Sequence, residues 1–270
     1  MSVPMIVCGA AGRMGRALIA LISQDPAAHL HAAVEITGHP ALGQDAGVLA
    51  GGAALQVPLT ADYGRVAVPG TVTLDFTVAA AAVEHLRTAV DNGAGIVIGT
   101  TGYSPEEQRE LDRLAPRTRC VVAANMSVGV NVLLTLVEAA AAALGGAFDP
   151  EIVEIHHRMK VDAPSGTALA LGRAVAVGLG RDFERSKRLA REGIVGQRTD
   201  EEIGIVALRG GDVVGDHTVV FAGLGERLEL THRAQNRECL ARGAVRAGIW
   251  LAGQPVGRYS MADVLGLRKA

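Results

Sequence analysis

The chain has 270 residues, of which 49% are hydrophobic and only 3% aromatic, and its formal net charge is −2. A chain of this length can form two compact units, with a core built mainly from Ala, Val, Leu and Ile. Lys and Arg are scattered along the sequence. Because polyanion binding needs a basic surface, this distribution argues against a nucleic-acid partner.

The three cysteines, Cys8, Cys120 and Cys239, are far apart and form no C-x-x-C pair. This pattern predicts neither a disulfide framework nor a zinc site, and it favours reduced thiols in the cytoplasm. The N-terminal segment lacks the basic region and long apolar region of a signal peptide. We also expect no apolar run to reach the roughly 20 residues that span a bilayer, and therefore no membrane partner.

The first half of the chain alternates short apolar runs with segments of helical periodicity. Strands are predicted over residues 5–8, 31–35, 72–76, 95–98 and 121–124. Helices are predicted over residues 13–23, 83–90 and 105–114, the last from a capping box that begins at Ser104. Strands that are apolar throughout and alternate with helices predict an α/β dinucleotide-binding domain with a doubly wound parallel sheet over residues 1–126.

The pattern changes after residue 126. A long helix over residues 130–144 is followed by a strand from Glu151 and by a helix that begins near Thr167. Three further strands are predicted over residues 203–208, 217–221 and 227–231. We therefore expect a separate α+β domain over residues 127–236, with a mostly antiparallel or mixed sheet. A final helix starting at residue 237 is predicted to pack, with the rest of 237–270, on the first domain.

Three glycines lie between the first predicted strand and the first predicted helix: Gly9, Gly12 and Gly15. Such a turn brings backbone N–H groups close to a pyrophosphate, although a purely structural turn is the alternative. The spacing is G-x-x-G-x-x-G, so Ala11 stands where the common fingerprint has glycine. Glu35, 20 residues after Gly15, ends the second predicted strand, where a carboxylate can bind ribose hydroxyls. Together these features favour a dinucleotide site.

A second glycine-rich segment, residues 99–102, follows a later strand and belongs at the carboxyl edge of the same sheet. Ligands of open α/β sheets bind at this edge. An ordinary loop at the end of a strand explains the segment equally well from sequence alone.

Residues 154–167 are the stretch richest in side chains suited to catalysis, and they include His156, His157 and Lys160. Histidine can act as a general acid near neutral pH, and lysine supplies a positive charge for a carboxylate or a transition state. Ser165 then opens a helix whose N–H groups predict a second anion site. The alternatives are a structural histidine, half of a metal site and a simple helix cap. Adjacent strand residues point to opposite faces, so the two histidines are not expected to bind one metal ion.

Six segments resemble the 4-hydroxy-tetrahydrodipicolinate reductase family in order and spacing: residues 9–15, 75–77, 99–102, 124–131, 156–167 and 215–218. The resemblance covers essentially the full length, and its most specific part is the block from His156 to Thr167. It implies a Rossmann-type domain and a sheet domain through which a homotetramer forms. It also implies reduction of 4-hydroxy-tetrahydrodipicolinate, a small cyclic dicarboxylate, by NADH or NADPH in diaminopimelate and lysine biosynthesis.

The resemblance also implies roles for individual residues. His156 matches the family's proton donor and acceptor, and Lys160 matches the second catalytic proton donor or electrostatic group. His157, Gly166 and Thr167 match substrate-binding positions. The positions that match cofactor contacts are Gly9, Ala10, Ala11, Gly12, Arg13, Met14, Glu35, Gly99, Thr100, Thr101, Ala123, Ala124, Asn125 and Met126.

Two positions depart from the family's pattern. Many relatives have a basic residue where this chain has Ile36, and some have histidine where it has Met159. Since Glu35 would repel a 2′-phosphate and only Arg13 remains to offset it, we expect NADH to be used at least as well as NADPH. Met159 is not expected to transfer a proton.

Two other functions are open at this stage. A non-catalytic Rossmann redox sensor would bind the cofactor without needing the His-Lys constellation. Another dehydrogenase of the aspartate-derived pathway would act on a different carbonyl substrate.

Overall fold

A computed structural model describes residues 2–236 and 238–267, which divide into two compact units. The first unit comprises residues 2–128 and 238–267, and the second comprises residues 129–236. Two parts of the predicted C-terminal segment, Arg237 and residues 268–270, lie outside the described residues.

The described residues form twelve strands and ten α-helices in chain order. The strands are β1 (Val3–Cys8), β2 (Ala28–Val34), β3 (Leu59–Thr60), β4 (Val72–Asp75), β5 (Gly95–Ile98), β6 (Arg119–Val122), β7 (Asp149–His156), β8 (Lys187–Arg188), β9 (Ile203–Arg209), β10 (Gly215–Ala222), β11 (Arg227–Ala234) and β12 (Gly257–Tyr259). The helices are α1 (Arg13–Ile22), α2 (Ala46–Leu49), α3 (Tyr63–Val66), α4 (Ala79–Asn92), α5 (Pro105–Leu114), α6 (Val128–Leu144), α7 (Gly166–Leu179), α8 (Phe183–Ser186), α9 (Glu238–Ala252) and α10 (Met261–Val264).

A seven-stranded parallel sheet organises the first unit, in the order β3-β2-β1-β4-β5-β6-β12. Helices cover both faces, with one apolar core involving α1 and α9 and another involving α4 and α5. The predicted doubly wound parallel sheet is therefore confirmed. Because the strand order reverses between β1 and β4, their carboxyl ends form the crevice in which such sheets bind ligands.

Local sequence signals explain several boundaries in this unit. Gly93 ends α4 in the left-handed conformation, at a φ of 69°. Ser104 and Glu107 form the predicted capping box, and Pro105 is the first residue of α5. Helix α4 begins at Ala79, four residues before the predicted start. Alanine is a strong helix former, but a run of alanines has no apolar stripe from which the sequence could predict this first turn.

The second unit contains a five-stranded sheet in the order β11-β10-β7-β9-β8. The β11/β10 and β10/β7 pairs are antiparallel, whereas β7/β9 and β9/β8 are parallel, which confirms the predicted mixed sheet. Helices α6 and α7 pack against one face. Side chains along β7 alternate in burial, so Glu154 and His156 lie on the covered face and Ile155 on the other.

Helix α6 and the short 3₁₀ turn after it contradict one expectation. The segment Val128–Ala147 has 20 residues and a mean hydropathy of 1.8, so it is long and apolar enough to cross a membrane by length and composition. The expectation that no apolar run reaches this length was wrong, since Asn131 and Glu138 interrupt the sequence without lowering its average much. Core helices of soluble proteins pass the same test; in this segment 22% of the apolar window is buried, and Leu133 and Val137 pack in the core of the second unit.

Candidate active site

The glycine turn between β1 and α1 has the backbone geometry of an anion site. Gly9 has a φ of 68°, and a Cβ atom on Gly15 would lie 2.2 Å from the Gly9 carbonyl oxygen. Glycine is therefore required at both positions. The helix cap, Gly12, offers no side-chain hydrogen bond, and the first turn of α1 contains no acidic residue. The N-terminus of α1 therefore has the polarity that favours a bound anion.

Glu35, directly after β2, is in contact with this turn. Its Oε1 accepts a hydrogen bond from the Ala11 amide at 2.8 Å, and its Oε2 accepts one from the Ile36 amide at 3.1 Å. The predicted ribose-binding carboxylate and the predicted phosphate-binding turn therefore lie together. Ile36 is 74% exposed, and Arg13 is also exposed.

The loops after β4 and β5 line a cleft of about 580 Å³ at the same edge of the sheet. A Cβ atom on Gly99 would lie 2.1 Å from the Phe76 ring, so only glycine lets these loops approach. The Thr100 hydroxyl donates to the Thr77 carbonyl at 3.0 Å. The predicted cofactor positions Gly99, Thr100 and Thr101 all border this cleft.

Asp75 holds these loops in place through hydrogen bonds, a role that the sequence did not predict. Its fully buried carboxylate accepts hydrogen bonds from the Thr77 amide at 2.8 Å and the Thr77 hydroxyl at 2.7 Å. The other carboxylate oxygen pairs with His85 Nδ1 at 2.6 Å. Residues 75–77 form one of the segments that resemble the family, but no local pattern pairs Asp75 with His85, which lies in the following helix.

Asp75 and His85 also form, with Cys8, a cluster of side chains that could hold a metal ion. Their potential ligand atoms lie within 4.8 Å of one another. Burial, and next the nearby Asp75 carboxylate, raise the pKa of the Cys8 thiol well above its ordinary value. The Asp75–His85 hydrogen bond pairs two of the three side chains with each other.

The last predicted cofactor segment, Ala123, Ala124, Asn125 and Met126, follows β6 in the first unit. Its backbone is held close to α9, because a Cβ atom on Gly243 would lie 1.8 Å from the Met126 carbonyl oxygen. The Asn125 side chain accepts a hydrogen bond from the Ser127 amide at 2.9 Å. The predicted cofactor positions thus follow the carboxyl ends of β1, β2, β5 and β6 of one parallel sheet.

In the second unit, His156 is the last residue of β7 and is buried. Its Nδ1 lies 2.5 Å from Oε2 of Glu154, which is two residues earlier on the same face of the strand. Both terminal nitrogens of Arg209 donate to the Glu154 carboxylate at 2.9 Å, and the Ser165 amide donates at 3.0 Å. Burial alone would raise the pKa of Glu154, but hydrogen bonds from Arg209, His156 and Ser165 lower it below its ordinary value.

The other ring nitrogen of His156 faces β10. A Cβ atom on Gly215 would lie 2.9 Å from His156 Nε2, so glycine keeps this side of the imidazole uncrowded. The His217 ring packs edge-on against His156, with ring centroids 5.1 Å apart, and its Nε2 lies 3.0 Å from the Ser165 hydroxyl. Burial, and next the positive charge of His156 when protonated, lower the pKa of His217 to about 4. His217 is therefore neutral at neutral pH.

Lys160 lies in the loop after β7. Its Nζ donates to Asp162 Oδ1 at 2.8 Å, and this hydrogen bond lowers the pKa of the Asp162 carboxyl. Arg209 Nη2 donates to the Asp162 backbone carbonyl at 2.6 Å. Arg209, which binds Glu154, therefore also holds the loop that carries Lys160. Met159 is 78% exposed and His157 is partly exposed.

Ser165 caps helix α7 and accepts a hydrogen bond from the Ala168 amide at 3.2 Å. The amide of Ser165 donates to Glu154, so the predicted anion site at this helix start involves the N–H groups that follow Ser165. A Cβ atom on Gly166 would meet nothing within 4 Å, which leaves open space at the predicted substrate position.

Fold and site together place the chain in the class of nicotinamide-dependent oxidoreductases that combine a parallel nucleotide-binding sheet with a second, mixed-sheet unit. Two family models match the chain, dihydrodipicolinate reductase N-terminus over residues 3–126 and dihydrodipicolinate reductase C-terminus over residues 129–265. The chain belongs to the dihydrodipicolinate reductase family.

Similar proteins agree with this assignment. The chain is 51% identical over 268 residues to a 4-hydroxy-tetrahydrodipicolinate reductase from an Anaeromyxobacter species, covering 99% of each. It is 49% identical over 266 residues to the enzyme of the same name from Pelobacter propionicus, covering 98% of this chain and 100% of the relative. Among solved structures, dipicolinate-bound dihydrodipicolinate reductase from a Paenisporosarcina species matches at 25% identity and a TM-score of 0.74. The match covers 97% of this chain and 99% of the solved chain.

Proposed function

We propose that this protein reduces 4-hydroxy-tetrahydrodipicolinate to tetrahydrodipicolinate with NADH or NADPH, in diaminopimelate and lysine biosynthesis. Relatives that are 49% and 51% identical over almost the whole chain carry the name of this activity. The observation that carries the proposal is the buried pairing of His156 with Glu154 beside the start of α7. A redox sensor would need no such pair. The assay for this activity is oxidation of the nicotinamide in the presence of substrate.

The first unit is proposed to bind the cofactor. The glycine turn and the N-terminus of α1 fit a pyrophosphate, and Glu35 is placed for ribose hydroxyls. The loops around Thr100 fit the remainder of the dinucleotide. When bound, the reduced nicotinamide supplies a hydride to the substrate ring. The chain's own residues bind and orient it.

The second unit is proposed to bind the substrate and supply the proton. The substrate hydroxyl leaves as water together with a hydrogen of the adjacent ring carbon, which forms a ring double bond, and a hydride and a proton then add to the two carbons of that bond. His156 Nε2 is the proposed proton donor, and Lys160 the second donor or the positive charge that stabilises the transition state. His157, Gly166 and Thr167 are proposed to bind the substrate carboxylates at the start of α7. A relative with bound dipicolinate supports a planar or cyclic dicarboxylate as ligand.

We propose that NADH is used at least as well as NADPH. Glu35 lies against the turn, and the next side chain, Ile36, is exposed and offers no positive charge for a 2′-phosphate. Ile36→Arg should therefore shift the ratio of kcat/KM values toward NADPH by about 1 to 2 kcal/mol, the scale of a charged hydrogen bond. Steady-state kinetics with both cofactors measures this ratio.

The matched control for this prediction is Val48→Arg, since Val48 is also an exposed apolar residue of the first unit. This variant adds the same charge elsewhere and should leave the cofactor ratio unchanged. A tenfold or greater wild-type preference for NADPH, or an unchanged ratio in Ile36→Arg, would contradict the role assigned to this position.

A homotetramer formed through the second unit is also proposed. The uncovered face of its sheet carries the apolar side chains Val153, Ile155, Val206 and Leu208 on two paired strands. Val206 and Leu208 are 42% and 46% exposed, an arrangement that a second copy can cover. Val206→Glu should therefore weaken assembly. Light scattering should give a tetramer for wild type and smaller species for the variant, whereas a stable, active wild-type monomer would contradict the proposal.

The remaining proposals concern location and other ligands. The composition, the scattered basic residues and the biosynthetic family support a cytoplasmic enzyme without a nucleic-acid or membrane partner. We propose that the reaction needs no metal ion, because general acid catalysis by His156 and Lys160 supplies the proton.

A further inference from the structure

We propose that Glu154 is a positioning residue that holds the His156 imidazole and the Lys160 loop in the arrangement required for proton transfer. This inference rests on the proposed function and deepens it. Glu154 is fully buried; it contacts His156 directly at Nδ1, the nitrogen that does not react, and it reaches Lys160 only through Arg209 and Asp162. Its role would therefore be to orient the groups that react.

Glu154 determines the tautomer of His156. The Glu154 carboxylate is held in its ionised form, so it can only accept the hydrogen bond that joins it to His156 Nδ1. His156 Nδ1 must therefore carry the hydrogen, which leaves Nε2 to bind and release the catalytic proton.

Glu154 is also connected to Lys160 through Arg209 and Asp162. Arg209 binds Glu154 with both terminal nitrogens, and one of them also donates to the Asp162 carbonyl. The Asp162 side chain accepts from Lys160 Nζ. One buried carboxylate thus connects, through Arg209, the two residues proposed to carry the chemistry.

Glu154 also contacts the start of α7, where the substrate is proposed to bind. The other oxygen of Glu154 accepts from the Ser165 amide, which precedes the helix turn that carries Gly166. The imidazole and the start of α7 are therefore fixed to the same side chain. Proton transfer is sensitive to displacements of the order of 1 Å. Because one side chain holds both the proton donor and the substrate site, its replacement should lower kcat.

Glu154→Gln tests this role. Glutamine keeps the size and can still accept from Arg209, but its amide can donate to His156 Nδ1 and so reverse the tautomer. We expect kcat to fall at least about tenfold, with KM for both substrates changed less than about threefold. We also expect a larger solvent deuterium isotope effect on kcat, because proton transfer becomes slower. Partial unfolding would lower activity without changing that isotope effect.

The matched control is Glu184→Gln, a substitution of the same type at an exposed ion pair with Lys187 in the second unit. It should leave kcat and the isotope effect unchanged. A double variant adds a second test. If Glu154 acts through His156, Glu154→Gln should cost less than about twofold in a His156→Gln background.

The outcomes separate this inference from the proposed function. Wild-type kcat and isotope effect in Glu154→Gln, with His156→Gln inactive, would overturn the positioning role alone. Normal turnover in His156→Gln would instead overturn the assignment of His156. If Glu154→Gln does not fold, Glu154→Asp is measured in its place. Activity of Glu154→Asp above that of His156→Gln, with an altered isotope effect, supports the proposal. A wild-type isotope effect in Glu154→Asp contradicts it.

Discussion

Replacing His156 by glutamine, or Lys160 by alanine, is expected to lower kcat by about 10²- to 10⁴-fold, the contribution of a positioned general acid. The reason is geometric for His156, since its Nδ1 is bound to Glu154 and its Nε2 remains for the substrate. Lys160 is held at the same site by Asp162 and Arg209. Nicotinamide absorbance under saturating substrate measures the loss.

Two matched variants control for nonspecific effects. His157→Gln removes the neighbouring imidazole and should mainly raise the substrate KM, because His157 is proposed to bind the substrate and not to transfer the proton. Lys187→Ala removes another ion-paired lysine of the second unit and should leave kcat unchanged. Near-normal turnover in both His156→Gln and Lys160→Ala would refute the proposed chemistry.

The second large effect is expected on stability at acid pH. The pKa of His217 is about 4 in the folded protein, below the ordinary value of 6.5, mainly because the ring is buried. The unfolded chain therefore binds more protons than the folded one between these two values. The free energy of unfolding should fall as the pH decreases from about 6.5 to about 4, and it should lose about 2 kcal/mol between about pH 7 and about pH 4.5 from this group.

His217→Gln should remove this part of the pH dependence. Glutamine can place an amide nitrogen near the Ser165 hydroxyl, so it keeps the neutral contact without the titrating ring. Urea unfolding at the two pH values should show a smaller decrease for the variant than for wild type. His31→Gln, which removes an exposed imidazole from the first unit, serves as the control. An identical decrease in wild type and His217→Gln would contradict a buried, neutral His217.

Local sequence patterns predicted most of the first unit correctly. The apolar runs became the parallel strands, and Ser104 and Gly93 marked a helix start and a helix end because caps depend on neighbouring residues alone. Helix α6 was located correctly, but its overall apolarity was underestimated, since single polar residues interrupt the run without changing its mean hydropathy.

The sequence named the residues that we propose to react, but it did not name the residues that hold them in place. Glu154 could have been found, because an acidic residue two positions before a histidine on a strand lies on the same face. The contact of Arg209 with Glu154 joins residues 55 apart, and that of His217 with Ser165 joins residues 52 apart. Such pairs follow from the sheet order β10-β7-β9, which no local pattern specifies.

Membership of the dihydrodipicolinate reductase family is established by the matches over residues 3–126 and 129–265, and it agrees with the sequence prediction. The activity of this chain is tested most directly by generating 4-hydroxy-tetrahydrodipicolinate enzymatically and following nicotinamide absorbance. We expect oxidation of NADH, and at an equal or lower kcat/KM of NADPH, that depends on this substrate and is inhibited by pyridine-2,6-dicarboxylate. Cofactor binding without substrate-dependent oxidation would contradict the account, as would oxidation that requires an open-chain aldehyde instead.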